Sequence, residues 1–141
     1  VRGVLFSGDT TSIRYITIAT TGNATSFGTL SASSSNFGAA VNSSTRGVIA
    51  FGQGVAEEIV NVLEYITIAT TGNATDFGDL IIARFGASGV NSSTRGVFCG
   101  GNTGAASNVI EYITIATTGN ATDFGDLTVA RHLLAGVQDG L

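Results

Sequence analysis

YITIATTGNATDFGDL (65–80) occurs again, letter for letter, at 112–127, and a third copy at 15–30 differs only at Ser26 and Thr29. The copies are spaced by 50 and then by 47 residues. A constant period between about 20 and 50 residues is typical of proteins in which one structural unit is stacked on the next. The repeat therefore predicts a stacked architecture.

A second repeated block precedes each copy of the first, and the two blocks keep their order along the chain. Its three forms are RGVLFSGD (2–9), NSSTRGVIAFGQ (42–53) and NSSTRGVFCGGN (91–102). Both blocks are rich in β-branched and aromatic residues and are bounded by Gly, Asn, Ser and Thr, which favours strands joined by turns. We predict four strands per unit. In the third unit they are Phe85 to Val90, Gly96 to Gly100, Val109 to Thr117 and Ala121 to Leu127.

The fold class predicted from these strands is all-β. Four-stranded antiparallel sheets that recur at a period in the forties are the blades of a β-propeller. A β-solenoid and a plain sandwich are alternatives, although solenoid coils are usually shorter and a sandwich does not need identical units. Residues 1–141 form one repeat domain, with units at about 2–33, 34–80 and 81–127, followed by a segment at 128–141.

The composition argues against several classes of partner. The chain has 141 residues and a net charge of −4, and its six basic residues are all Arg, so we expect no nucleic-acid binding. No apolar stretch approaches the roughly 20 residues of a membrane helix, and no signal-peptide pattern is present, so we predict no membrane partner. Cys99 is the one cysteine and is expected to be a small buried hydrophobe.

The third unit resembles the blades of the kelch family of propeller repeats. Gly100 and Gly101 match the Gly pair that ends a kelch strand, Tyr112 matches the kelch tyrosine, and Phe124 stands at a position that is usually Trp. The closing hydrophobic-x-x-Ala-Arg pattern is LTVAR (127–131). The resemblance spans nearly the whole chain and implies a propeller of kelch-like blades.

The other two units keep part of the kelch pattern. The middle unit has Tyr65, Phe77 and LIIAR (80–84), whereas the first unit ends LSASS (30–34) without the Arg. The repeats are also similar to those of kelch-like proteins of marine cyanophages and related environmental sequences. That second resemblance implies a phage setting.

Three blades span about half of a propeller, which needs roughly four to eight blades to close. Residues 2–30 supply strands two to four of a blade without a first strand, whereas HLLAGV (132–137) is typical of a first strand and has no blade after it. We therefore predict a homodimer with two-fold symmetry that closes a six-bladed ring. The alternative is a fragment of a longer repeat chain. The strand that completes the partner's N-terminal blade is assigned to Arg131, His132, Leu133, Leu134 and Val137.

Few residues suggest catalysis or metal binding. Asp76 and Asp79, like Asp123 and Asp126, are three residues apart, so on a regular strand their side chains point to opposite faces, which argues against a calcium site. His132 is the one histidine, and the chain lacks the His, Tyr and Cys cluster of a copper-radical oxidase. The NAT and NSS triplets match the N-glycosylation pattern, but turn formation explains them. We predict no catalytic residue, no cofactor and no metal.

The units differ from one another mainly in two connections. The loop between strands two and three reads DTTSI (9–13), QGVAEEIVN (53–61) or NTGAASN (102–108). The link from strand four to the next first strand reads SASSSN (31–36), IIAR (81–84) or TVAR (128–131). In a propeller both connections emerge on one face, and loops on a rigid scaffold often bind partners, although unconstrained loops also vary. The candidate binding residues are Asp9, Thr10, Gln53, Glu57, Glu58, Asn102, Thr103 and Asn108.

These observations together predict a non-enzymatic structural or interaction propeller. Its first partner is a second copy of the chain, joined by strand exchange, and the phage resemblance implies a phage-encoded or virion-associated component. The alternative is a glycan-binding module that uses the variable loops. A protein or a glycan is therefore the expected further ligand.

Overall fold

The computed structural model describes residues 1–6, 10–36 and 38–139 of the chain. Within these residues the protein is all-β, without helix, and its strands form four antiparallel sheets, which confirms the predicted fold class. The described residues accordingly contain no helix of the length and apolarity needed to cross a membrane. The strands are β1 (Arg2–Phe6), β2 (Ser12–Thr17), β3 (Thr25–Thr29), β4 (Ser34–Asn36), β5 (Ala39–Asn42), β6 (Arg46–Ala50), β7 (Gln53–Gly54), β8 (Val62–Thr67), β9 (Thr75–Asp79), β10 (Ser88–Asn91), β11 (Arg95–Cys99), β12 (Ser107–Thr114) and β13 (Thr122–Arg131).

Three of the sheets follow the three repeated units of the sequence. The first sheet has the order β1-β2-β3, the second β5-β6-β8-β9 and the third β10-β11-β12-β13. The second and third sheets thus have four strands each, whereas in the described part of the chain the first sheet has three, with no counterpart of β5 and β10. The fourth sheet is the short pair β4-β7.

The start of the third sheet differs from the prediction. The first strand was expected from Phe85, but β10 begins at Ser88. Phe85 instead exchanges two backbone hydrogen bonds with Asn102, of 3.1 and 2.8 Å, so its peptide groups are used by the following loop. Strand β11 begins one residue earlier than expected, at Arg95.

The end of the third sheet also differs. Strand β12 ends at Thr114 rather than Thr117, because the chain turns there and the Thr117 amide donates to the Thr114 carbonyl at 3.3 Å. Strand β13 continues past Leu127 to Arg131, because Arg131 lies opposite Ser107 and keeps the chain paired to β12.

A β-bulge interrupts the last strand of every unit. The registers of β2 with β3, β8 with β9 and β12 with β13 each skip one residue, which is Phe27, Phe77 or Phe124. A bulge inserts an unpaired residue and turns its side chain out of the regular alternation. Each bulged phenylalanine meets the tyrosine of its unit edge to face. The ring centroids are 6.1 Å apart for Tyr15 and Phe27, 6.1 Å for Tyr65 and Phe77, and 6.0 Å for Tyr112 and Phe124.

The sheets are stacked through two apolar cores. Each core uses one face of the second sheet, so that sheet is covered on both sides. The core between the first and second sheets contains Ile13, Phe27, Leu30, Ile49, Phe51 and Ile66. The core between the second and third sheets contains Val41, Val48, Ala50, Leu63, Phe77, Leu80, Phe98, Ile113, Ile115 and Ala121.

The glycine after each bulged phenylalanine allows the sheets to approach closely. A Cβ added to Gly28 would collide with the Gly72 carbonyl of the next sheet, and a Cβ added to Gly78 would lie 2.6 Å from the Gly119 carbonyl group. Gly78 also has a φ of +139°, which disfavours any residue with a side chain. Gly28 therefore allows the close approach of the first and second sheets, and Gly78 that of the second and third.

We predict that Gly78→Ala lowers the free energy of unfolding by about 1–3 kcal/mol more than Gly104→Ala, because only the first substitution pushes two sheets apart. Gly104 is the matched control: its φ is +108° and an added Cβ would meet no atom within 4 Å. Urea unfolding followed by far-UV circular dichroism measures the difference. Equal losses for the two variants would show that backbone strain alone accounts for the effect.

Candidate assembly interface

A turn of each later sheet docks on the last strand of the sheet before it. The Gly72 and Ala74 amides donate to the Phe27 and Thr29 carbonyls at 2.8 and 2.9 Å, and the Asn73 side-chain oxygen accepts from the Thr29 amide at 3.1 Å. The turn that follows β12 makes the same three hydrogen bonds to β9. They join Gly119 to Phe77 at 2.7 Å, Ala121 to Asp79 at 2.8 Å, and the Asp79 amide to the Asn120 side chain at 3.1 Å.

The equivalent groups at the two ends of the stack are not used in this way. In the first sheet the corresponding turn is 22–24, and in the third sheet the corresponding acceptors lie on Phe124 and Asp126. Within the described residues no hydrogen bond joins either set to another sheet. One end of the stack therefore carries a free turn and the other a free strand edge.

In the first and second units an arginine strengthens the same contact. The Arg46 guanidinium lies 4.2 Å from the centroid of the Tyr65 ring and donates to the Ile115 and Ala116 carbonyls of the third sheet at 3.0 Å. Arg2 lies over Tyr15 in the same way and donates to the Ile68 carbonyl of the second sheet at 2.7 Å. Arginine stacked on an aromatic ring keeps its outer N–H groups free for such carbonyls.

Arg95 completes this series without an acceptor from another sheet. Its guanidinium lies 4.3 Å from the centroid of the Tyr112 ring, so it is held in the geometry of Arg46. Among the described residues no carbonyl of a neighbouring sheet accepts from it. Arg95 is exposed in this chain and faces away from the second sheet.

The outward faces of the end sheets are apolar and open to water. Phe27 and Phe77 are 4% and 2% exposed, whereas Phe124 at the same position of the third sheet is 52% exposed. On the first sheet Leu5 is 49% exposed, although its counterparts Ile49 and Phe98 are 2% and 0% exposed. Ile18, on the same face as Leu5, is also exposed. Large apolar side chains of this kind are usually buried, but on the end sheets of the single chain they are exposed.

The C-terminal residues lie along the first strand of the third sheet. We call residues 132–139 the tail. The Leu133 amide donates to the Gly86 carbonyl at 2.7 Å, and Gly136 packs against Ser88 and Val90. The tail thus runs in the same direction as β10. It has no strand partner within the described chain.

The structure places the five predicted assembly residues in two environments. Arg131 ends β13, where it is paired with Ser107, whereas the other four belong to the tail. Leu133 and Val137 are strongly exposed, and Leu134 is half-buried next to Gly100.

A groove separates β1 from β5 at the opposite end of the stack. Its volume is about 220 Å³. The groove occupies the position that the missing first strand of the first sheet would take. Its lining consists of Arg2, Gly3, Val4, Phe6, Ala40, Val41, Asn42, Gly47, Ile66 and Ile68.

A buried ion pair connects the second and third sheets. Arg84 and Glu111 are fully buried, with Nη2 3.0 Å from Oε1, and Arg84 also donates to the Val109 and Phe98 carbonyls at 2.9 and 3.4 Å. Glu111 Oε2 accepts from the Ile81 amide. Burial lowers the pKa of the Arg84 guanidinium from its ordinary value, and the neighbouring Glu111 carboxylate opposes that shift.

The lone thiol lies near this ion pair. Cys99 is half-buried on the open side of β11, rather than fully buried as predicted. Burial raises the pKa of the Cys99 thiol and the Arg84 guanidinium lowers it, with burial the larger influence. A raised pKa reduces the thiolate fraction near neutral pH and so makes the thiol less reactive.

The two variable connections of the first junction come together. The link 31–36 supplies β4 and the loop 53–61 begins with β7, and these two strands pair with each other. A small cavity of about 110 Å³ lies between them, bordered by Ser31, Ser33 and Glu58. Glu57 in the same loop has a φ of +67°, which is uncommon for a residue with a side chain.

The predicted loop residues are spread over several loops. Thr10, Glu57, Glu58, Thr103 and Asn108 are exposed, whereas Gln53 and Asn102 are half-buried. Gln53 and Asn102 serve local structure, because the Gln53 side chain donates to the Glu57 carbonyl and the Asn102 side chain accepts from the Gly104 amide. Asp9 lies outside the described residues.

Asp76 and Asp79 do not lie on opposite faces of their strand, as was predicted. The bulge at Phe77 places Asp76 opposite Glu64 and Asp79 opposite Val62, and these partners are two residues apart on one face of β8. Asp76 and Asp79 therefore share a face as well. Across the described residues, no group of three or more His, Cys, Asp or Glu is placed to hold a metal ion.

The contacts that join the sheets were not predicted from the sequence. They depend on Arg2, Arg46 and Arg95, on the glycine after each bulged phenylalanine, and on the asparagine of each turn. Their signal is recurrence, since each of these residues stands at the same place in all three units.

No protein-family model matches the chain. No curated protein matches it either.

We predict that Arg84→Met and Glu111→Leu each lower the free energy of unfolding by about 3–5 kcal/mol, because each leaves one buried charge without its partner. The double variant should be less destabilised than the sum of the single variants, since it removes both charges together. Urea unfolding at one fixed protein concentration measures the cycle, with Glu58→Gln as the exposed control. Strictly additive losses would mean that the two side chains do not interact.

Proposed function

We propose that this chain is a non-enzymatic structural protein: three blades of a kelch-like β-propeller that closes with a second copy into a six-bladed ring. Each of the three repeated sheets is one blade, and the first blade is completed in the ring. The chain then acts as a rigid scaffold whose loops are available to other molecules.

The observation that carries this proposal is the junction between sheets. It occurs twice in the chain, and each end of the stack presents one half of a further junction. Gly22, Asn23 and Ala24 match the turns that dock at the two complete junctions, and the free edge at Phe124 and Asp126 matches the strands that receive them. The two free halves are complementary. A third junction of the same kind joins the third sheet of one copy to the first sheet of another.

The symmetry of that junction favours a closed dimer. A head-to-tail contact continues as a filament unless its rotation closes, and a ring leaves no unpaired surface. Three sheets per chain make six in a dimer, which lies within the range of about four to eight blades known for propellers. The second junction between the two chains is then identical to the first.

Closure would also cover the apolar end faces. Leu5 and Ile18 lie on one face and Phe124 on the other, and all are about half-exposed or more in the single chain. Exposed apolar patches of this kind mark association surfaces in soluble proteins. The ring would give Arg95 an acceptor at the Ile18 carbonyl, which corresponds to the carbonyls that Arg2 and Arg46 use.

The resemblance of the repeats to kelch-like proteins of marine cyanophages extends the proposal to a phage-encoded, virion-associated component. This part of the proposal rests on the sequence resemblance alone. Detection of the protein in purified particles supports it, and abundant expression with absence from the particles counts against it.

Glycan binding through the variable loops is the second candidate function. The pairing of β4 with β7 favours it, because this pairing brings the two variable connections to one side of a small cavity that contains serine hydroxyls and the Glu58 carboxylate. Binding to a glycan array that disappears when a neutral loop replaces residues 53–61 supports this candidate. Unchanged binding, or none, counts against it.

We predict that Gly125→Ala separates the ring into single chains of about 14.2 kDa, from a wild-type particle of about twice that mass. A Cβ at Gly125 meets no atom within 4 Å in the single chain, although the equivalent glycines abut the docked turn. At about 1–3 kcal/mol for each of two junctions, the dissociation constant should rise about thirtyfold or more. Sedimentation equilibrium measures both masses.

The control for this experiment is Gly104→Ala, which also places a side chain at positive φ but lies in a loop with open space around it. It should leave the dimer intact. A wild-type protein that sediments as a stable 14.2 kDa monomer contradicts the ring, and so does a Gly125→Ala variant with unchanged association.

A further inference from the structure

The groove between β1 and β5 has the features of an unfilled strand position. On the groove side, β1 is the edge of the first sheet, so its backbone amides and carbonyls on that side have no strand partner among the described residues. The floor is apolar, with Val4 and Phe6 on one wall and Val41 on the other. An open edge beside an apolar groove is the arrangement that accepts an added β-strand.

The other two sheets show what belongs in the groove. Strands β6 and β11, which correspond to β1, are each paired with a first strand of four residues. In these pairs Val41 lies opposite Val48, and Val90 lies opposite Val97. The position equivalent to Val48 and Val97 in the first sheet is Val4.

The tail has the position and the sequence of such a strand. Its Gly136-Val137 corresponds to Gly89-Val90 of β10, and Gly136 packs on β10 much as Gly89 packs on Ala40 of β5. The tail therefore already lies where the first strand of a fourth sheet belongs. Within the described residues no further strand is paired with it.

We infer that the groove of one chain takes the tail of a second copy, as an antiparallel strand with Val137 of the tail opposite Val4 of β1. The inference rests on the proposed ring and names its partner segment and register. Backbone hydrogen bonds along β1 hold the strand, and Leu133 and Val137 lose their exposure. The first sheet then has four strands like the others.

A pair of like charges limits the strength of this junction. Arg131 corresponds to Arg84, which enters the following sheet and meets Glu111, but the residue of the first sheet that corresponds to Glu111 is Arg14. In the ring, Arg131 of one chain therefore faces Arg14 of the other. Both side chains are exposed in the single chain. Two guanidinium groups repel each other, whereas the junction between the second and third sheets has an ion pair at this place.

A charge-swap cycle tests this placement in the full chain. Arg14→Glu and Arg131→Glu should each lower the dissociation constant of the dimer about tenfold or more, because each converts the like-charge pair into an ion pair. The double variant restores like charges and should return to within about threefold of the wild type. Sedimentation velocity over a range of concentrations measures the four constants.

A disulfide tests the register. In a Cys99→Ala background, which places at position 99 the residue that β6 has at Ala50, Val4→Cys with Val137→Cys should give a covalent dimer on mild oxidation. Val55→Cys with Val137→Cys is the control, because Val55 is exposed but lies on the loop 53–61. Non-reducing electrophoresis separates the two outcomes.

The outcomes distinguish this inference from the proposed function. The tail placement is overturned, and the ring retained, if Gly125→Ala disrupts the dimer but two further results are negative. These are additive effects of Arg14→Glu and Arg131→Glu on the dissociation constant, and no more covalent dimer from the Val4 pair than from the Val55 pair. A chain that stays monomeric in the wild type and in all charge variants overturns both. If Arg14→Glu and Arg131→Glu each lower the dissociation constant of the dimer and the double variant returns it to the wild-type range, the ring and the tail placement are both supported.

Discussion

The docking of a turn on a bulged strand is the contact on which the rest of the architecture depends. It requires an amide-rich turn on one sheet, a glycine next to a bulged phenylalanine on the sheet before it, and an asparagine that caps the strand amide. Gly28 and Gly78 let the backbones approach to a distance that excludes any Cβ. At this spacing the arginine that stacks on Tyr15 or Tyr65 reaches a carbonyl of the neighbouring sheet, and the apolar faces of adjacent sheets pack into the two cores. The repeated segment (15–30, 65–80 and 112–127) therefore supplies mainly the residues that form the junctions between sheets.

The sequence was sufficient to predict the all-β class and the three repeated units, because the period, the turn residues and the β-branched runs all act locally. It was not sufficient for features in which distant groups compete for the same backbone. Phe85 has strand chemistry, but its peptide groups pair with Asn102 in a following loop. The acidic pair at Asp76 and Asp79 was assigned to opposite faces because an inserted bulge residue cannot be recognised from alternation. The arginine that stacks on the tyrosine could have been found from its recurrence in each unit. Its acceptor carbonyls belong to another sheet and cannot be recognised from the sequence.

The two complete junctions are alike in backbone and different in charge. Arg84 and Glu111 form a buried pair between the second and third sheets. In the first junction Ser34 stands at the position of Arg84, and Glu64 accepts from the Ser31 amide. Both carboxylates cap the backbone that enters the next unit, so that role does not depend on the arginine. A buried ion pair contributes more to specificity than to net stability in several known systems. In this chain the apolar core and the docked turns are common to both junctions, and the charges make the junctions distinguishable.

The letter-for-letter identity of residues 65–80 and 112–127 has a kinetic consequence during folding. Strand β6 would meet nearly the same cross-strand side chains in β8 and in the equivalent part of β12, where only Leu63 is replaced, by Ile110, so contact energy hardly separates the native pairing from a swapped one. Connectivity separates them instead. The native pairing closes a loop through residues 51–61, whereas the swapped pairing closes one through residues 51–106, and the longer closure costs about 1.4 kcal/mol more in chain entropy. The order of the strands is thus enforced by the length of the connecting chain, and misfolding by exchange of identical segments is the vulnerability that accompanies so exact a repeat.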